Sequence, residues 1–184
     1  MAPHLDPVTG LVNREYAEQL LAKLAEAEVI NEPLTVALLE IANLDWIGEE
    51  PNIAIDNRLL CGVSHVVRQS LAEEHTMARF GEQQFLLVVP HEDVERATQR
   101  AEELRQRVAA TEFIAEGRSF QTTLTCALAE MTVKRGRQEL FEFLQEALDE
   151  AKRYGGNRTF MHDGNSPTPV VPPEMNIAIQ QLAI

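Results

Sequence analysis

The sequence predicts an α+β fold, a mixed central β-sheet flanked by helices. Two observations predict it. Four long segments place apolar residues at three- and four-residue spacing, as amphipathic helices do, and short apolar runs bounded by turn residues lie between them. The resulting order of helix, strand, helix, hairpin, helix, strand, helix is packed most economically as a sheet covered by helices.

Taken in order, residues 15–29 put Leu20, Leu21, Leu24 and Ala25 on one helical face, and Asn-Glu-Pro at 31–33 reads as a turn. The apolar run LTVALLEIA from Leu34 reads as a strand buried on both faces. A second helix over 53–71 carries Leu60, Val63, Val67 and Leu71. The strands TMARF and QFLLVV, separated by Gly-Glu-Gln, form a β-hairpin. A third helix over 92–110 aligns Ala97, Ala101, Leu104 and Val108, the threonine-rich SFQTTLTCALAEM is a strand, and a last helix covers 138–154. Beyond Asp163 the composition shifts to GNSPTPVVPPE, a spacer that cannot occupy a helix or sheet interior, followed by the apolar MNIAIQQLAI. Two units are expected, a domain at 1–162 and a proline-rich spacer with an apolar tail at 163–184. The tail reads as a short helix or strand that folds back on its own domain, with docking on a partner as the alternative.

With 184 residues the chain has the length of one domain plus an extension. A net charge of −13, from 29 acidic against 16 basic residues, argues against binding nucleic acid or anionic membranes. No stretch approaches the roughly 20 apolar residues of a membrane span, and the opening MAPHLDPVTG lacks a leader's apolar core, so a cytoplasmic protein is expected. Cys61 and Cys126 have no metal-ligand spacing and read as small buried residues. The five histidines lie in separate segments. No cofactor and no metal are expected from these patterns.

Three ordered motifs carry a resemblance. DPVTGLVNRE at 6–15, ARFGEQQF at 78–85 and ALDEAKRYGGNR at 147–158 resemble the D-x-L-T-G-L-x-N-R, A-R-x-G-G-D-E-F and A-L-Y-x-A-K-x-x-G-R-N-R signatures of GGDEF domains. This is the diguanylate cyclase family, and the resemblance covers residues 6 to about 160. It implies the nucleotide-cyclase type of α+β fold. Members join two GTP molecules into cyclic di-GMP, each subunit of a dimer holding one GTP, with two magnesium ions held by carboxylates near the triphosphate.

Carried over position by position, the resemblance implies an altered site. The strand-end motif D-I-D-x-F-K-x-I-N-D becomes Glu40-Ile41-Ala42-Asn43-Leu44-Asp45-Trp46-Ile47-Gly48-Glu49, which keeps a carboxylate at Glu40 and loses one at Ala42. The hairpin motif reads Gly81-Glu82-Gln83-Gln84-Phe85, with neutral amides where magnesium ligands are needed and a bulky anion at Glu82. A gap-free count puts Gly48 and Asn57 at the two guanine-reading positions, whereas a one-residue shift puts Asp56 at the second. Lys152 keeps a phosphate contact, and Gly156 replaces an arginine. The feedback motif R-x-x-D reads Ala72-Glu73-Glu74-His75, which lacks a clamp for cyclic di-GMP.

The matching residues Asp6, Thr9, Gly10, Asn13, Arg79, Phe85, Asn157 and Arg158 read as turn and packing residues. Trp46 reads as partly buried core, with a partner anchor as the alternative. The expectation is a degenerate, catalytically inactive GGDEF-like domain, not an enzyme, that acts as a protein-interaction or regulatory scaffold for a protein partner. Because the signature begins at Asp6, no sensor domain is expected ahead of it, and control is expected from outside the chain. A homodimer is implied only while two GTP molecules must meet. A nucleotide sensor that binds GTP or cyclic di-GMP without turnover, through Glu40, Asn57 and Lys152, is the alternative. A cyclase whose platform is rebuilt from Glu40, Glu82 and Lys152 is the third reading.

Overall fold

The computed structural model describes residues 4–26, 32–42, 53–132 and 136–184. The expectations attached to Asn43, Asp45, Trp46, Gly48 and Glu49 lie outside these residues.

The helices are α1 (Arg14–Glu26), α2 (Ile53–Arg68), α3 (Val94–Ala109) and α4 (Arg137–Arg153). The strands are β1 (Leu34–Ile41), β2 (Thr76–Arg79), β3 (Gln84–Pro90), β4 (Thr111–Ala115), β5 (Arg118–Phe120), β6 (Leu124–Met131), β7 (Thr159–His162), β8 (Pro167–Pro169) and β9 (Gln180–Ala183). Among the described residues six strands form a sheet in the order β2-β3-β1-β6-β7-β8, and three form a smaller one, β5-β4-β9. β1 lies antiparallel between β3 and β6, whereas β6 and β7 run parallel, so the large sheet is mixed.

Strand alternation sorts the core into two layers. Ala37, Leu39 and Ile41 of β1 point with Phe85, Leu87 and Val89 of β3 toward Leu59, Val63 and Val67 of α2 and Ala101, Leu104 and Val108 of α3. The intervening Val36, Leu38, Leu86 and Val88 point the other way, toward Ala17 and Leu21 of α1 and Leu140, Leu144 and Leu148 of α4. Both faces of the central strands are therefore covered. This is why β1 reads as a continuous apolar run, and why truncating a residue such as Leu39 would cost about 2–5 kcal/mol.

The expected long strand at 119–131 is split by the structure into β5 and β6. β4 and β5 form an additional hairpin over the two residues Glu116 and Gly117, whose φ values of 54° and 75° are those of a type I′ turn. Pro167 and Pro169 sit where a strand tolerates them, because β8 is an edge strand against β7. From there the chain crosses α3, where Gln106 Nε2 donates to the Pro173 carbonyl at 3.3 Å, and ends in β9, parallel to β4.

Candidate functional site

The opening signature builds a closed turn. Asp6 Oδ1 accepts from the backbone N–H and hydroxyl of Thr9 at 2.8 and 2.7 Å, and Gly10 takes φ 67°, a left-handed conformation open to glycine. Asn13 Oδ1 then accepts from Tyr16 N at 2.9 Å and caps the start of α1. An N–H···O bond of 2.9 Å from Arg79 to Val12 ties this turn to β2, and the Arg79 side chain donates to the Gly81 carbonyl and lies over the Phe85 ring. Phe85 is fully buried. The hairpin is thus rooted in the core through Phe85, while Glu82 and Gln83 at its tip are exposed.

Three expected site residues meet at the end of the large sheet. Glu40 pairs across the ladder with Gln84 on one side and Thr125 on the other. Gln84 Nε2 donates to Glu40 Oε2 at 2.8 Å, and Lys152 Nζ of α4 lies 3.1 Å from Glu40 Oε1. Lys152 also lies 3.8 Å from Asp149 Oδ1. Its side chain is 44% exposed, which leaves the ammonium open to an incoming anion. The described donor set does not fit a pair of divalent cations. Glu40 is shared between a lysine and an amide, and among the described residues no three His, Cys, Asp or Glu side chains group to hold a metal.

Lys152 is placed by the end of its helix. Gly155 N bonds to Lys152 O and Gly156 N to Ala151 O, at 2.9 and 3.0 Å, a Schellman closure with Gly155 at φ 99°. Gly156, expected as a lost cation, has a backbone role here. Its φ is 67°, and a Cβ at this position would lie 3.1 Å from Thr125 Oγ1. The same hydroxyl accepts from Asn157 N at 3.1 Å.

A buried network not singled out from the sequence supports this corner. Arg105 holds Glu102 through two hydrogen bonds of 2.9 and 2.8 Å and reaches Asn157 Oδ1 at 2.8 Å. Burial pushes the Glu102 carboxyl up, but the hydrogen bonds and charge of Arg105, with a further bond from Gln106, outweigh it and hold the group below the usual carboxylate range. Cys126, beside this pair in β6, is driven by burial to about 12 and is an inert thiol.

Asn57 lies elsewhere. It lines a cavity of about 590 Å³ with Pro7 and Val8 of the opening turn, Cys61 of α2, and Leu182, Ala183 and Ile184. Cys61 is half-buried and donates to the Val8 carbonyl at 3.0 Å, so it is a wall of this cavity rather than a core residue. The segment 72–75 places His75 in the interior, where Nδ1 accepts from Ala72 N at 3.2 Å, Nε2 lies 3.7 Å from Glu92, and Arg100 also holds Glu92. Burial and the Arg100 charge pull His75 below its ordinary value.

Comparison with known proteins agrees with this fold. The sequence matches the family described as "Diguanylate cyclase, GGDEF domain" over residues 3–158, and the chain belongs to that family. It is 28% identical over 154 residues to the diguanylate cyclase DgcP of Pseudomonas aeruginosa, which covers 83% of this chain and 23% of that protein. It is 26% identical over 157 residues to a diguanylate cyclase of Vibrio cholerae, covering 83% and 48%. The chain thus spans half or less of the length of these curated relatives. Among solved structures, the GGDEF domain of FimX from Pseudomonas aeruginosa superposes with a TM-score of 0.80 at 26% identity, covering 88% of this chain and 100% of that one. The diguanylate cyclase SiaD of the same organism, solved with its activator SiaC, superposes with a TM-score of 0.80 at 21% identity, covering 88% and 62%, and shows the fold alone.

These relatives correct one expectation. The sequence reading excluded an enzyme on the strength of the altered motif, but the relatives are named for an enzyme class, and the changed motif alone does not carry that exclusion. The sequence reading kept Glu40 and Lys152 as separate residual contacts, and the structure shows that they are paired with each other. Among the described residues no helix is long and apolar enough to cross a membrane.

Proposed function

We propose that this chain is a regulatory GGDEF domain with an altered hairpin motif that binds a guanine nucleotide and passes the bound state to a protein partner. The observation that supports it is the meeting of Glu40, Gln84 and Lys152, from three distant segments, at one exposed corner. A phosphate would draw Lys152 away from Glu40, exchanging one charge partner for another, and the nucleotide would have to extend from this corner to the separate cavity of Asn57 for that amide to meet the base. Glu82, Gln83 and the other hairpin residues would then form the rim. Residues 1–162 act as the nucleotide unit and 163–184 as its appended tail, in a cytoplasmic protein.

Turnover of GTP to cyclic di-GMP, the activity that the relatives' names carry, is the second reading, and a homodimer belongs with it. Calorimetric titration of the full chain with GTP and with cyclic di-GMP, each with and without magnesium, tests the proposal, followed by chromatography of the mixture. Heat that disappears in Lys152→Met supports nucleotide binding, and cyclic di-GMP in the chromatogram establishes the second reading. No heat from either nucleotide overturns the nucleotide part of the proposal.

A further inference from the structure

Residues 163–184 lie beyond the span that matches the family, yet the last of them reach the cavity that holds Asn57. Their docking is specific. β9 runs parallel to β4, with Thr111 opposite Gln180 and Ile114 opposite Ala183, and Ile184 N donates to Ile114 O at 2.9 Å. Side chains add to the ladder, with Gln180 Nε2 donating to Thr111 Oγ1 at 2.8 Å and Gln181 Nε2 to Glu112 Oε2 at 2.6 Å. At the end of β9 the Ile184 side chain enters a space that exists because α2 carries a glycine at position 62. A Cβ built on Gly62 would lie 2.6 Å from Ile184 Cγ2 and 3.0 Å from Phe113 Cδ1.

A glycine in mid-helix costs about 1 kcal/mol relative to alanine. Here it admits Ile184, and Leu182 and Ile184 pack against the core layer of α2 and α3. The same residues line the cavity together with Pro7, Val8, Asn57 and Cys61. The volume of about 590 Å³ lies in the range of small-molecule sites.

The geometry points to Leu182 and Ile184 as specificity-determining residues: docked through Ile184 on Gly62, they set the width of the Asn57 cavity and thus the size of molecule it admits. The wall stands on β9 and Ile184, and is held by main-chain bonds and one apolar knob. Substitutions at the knob should therefore release it without opening the large sheet. Its effect on nucleotide selection rests on the proposed function, whereas its effect on access does not.

Cys61 supplies a probe within the cavity, and Cys126, fully buried, reports unfolding if it is ever labelled. Full-length wild type, Gly62→Ala and Ile184→Ala are each alkylated with iodoacetamide and, separately, with fluorescein maleimide, and the rates at Cys61 are read by mass spectrometry. The ratio of bulky to small reagent rates cancels any change in thiolate fraction. The ratio is expected to rise roughly tenfold in both variants, a change that local release of β9 can supply. An unchanged ratio in both variants, with Cys126 unlabelled, overturns the proposal. Should Gly62→Ala label at Cys126 and prove unfolded, Ile184→Ala decides alone. In the nucleotide arm, GTP affinity should shift by about fivefold in the variants through altered fit at the wall. A wild type that binds no GTP sinks the proposed function and leaves the labelling ratio to judge the wall.

Discussion

Lys152 Nζ lies 3.1 Å from Glu40 Oε1, joining the last turn of α4 to the end of β1 across 112 residues of sequence. Such a half-exposed pair contributes at most about 1 kcal/mol to stability, so its retention is better explained by charge placement than by folding. Lys152→Met should leave the urea midpoint nearly unchanged and weaken GTP binding about tenfold, the effect of removing a charged hydrogen bond. A large fall in stability with no change in affinity would count against this.

Gln84 sits opposite Glu40 in the ladder with its amide on the carboxylate. Gln84→Glu replaces that donor by a second carboxylate at hydrogen-bond range. Without a cation, the two charges repel, and the variant should be less stable than wild type by about 1 kcal/mol at neutral pH. Magnesium at millimolar concentration should restore the loss in the variant while leaving the wild type unaffected, as read by thermal unfolding. Equal responses of both proteins to magnesium would refute the assignment.

The Glu102 and Arg105 side chains are 0% and 10% exposed and hold each other and Asn157. Arg105→Met leaves a buried carboxylate without its main partner and should cost about 3–5 kcal/mol. Because the native Glu102 carboxyl is depressed, it stabilises the fold above the unfolded value of about 4.3, and this contribution is lost as pH falls through the lower native value. In Arg105→Met this loss should begin at higher pH, measurable as the urea midpoint between pH 3 and pH 7.

His75 is lowered by burial and by Arg100, with Glu92 and Glu74 opposing. A depressed histidine favours the neutral form in the native state, so its contribution is complete above the unfolded value of about 6.5 and declines as pH falls through the native value. His75→Gln should flatten the stability profile below that point. An identical slope in variant and wild type would show that other groups carry it.

Part of this molecule was legible because the relevant physics is local. The run LTVALLEI could only be a strand covered on both faces, and the three- and four-residue spacing of α2, α3 and α4 survives within a few residues of each boundary. The β4–β5 hairpin was missed because its turn is Glu116-Gly117, where the usual signal is Asn or Asp before Gly, and it merged with β6 into one apparent strand. For β9 a docked strand was one of two readings of the tail, but its place was not legible: its partner β4 lies 69 residues away, and parallel pairing leaves no signature in the strand itself. Of the expected site residues, Glu40, Gln84 and Lys152 come together, while Asn57 belongs to the cavity walled by Leu182 and Ile184.

By itself the sequence determined the α+β class, the three family motifs and the positions where their acids have changed, because periodicity, turn chemistry and residue type are properties of short segments. Only the tertiary structure decided that Lys152 faces Glu40, that Arg105 buries Glu102 against Asn157, and that Gly62 receives Ile184. Each of these depends on which distant segments pack together, and packing is settled by the whole core at once.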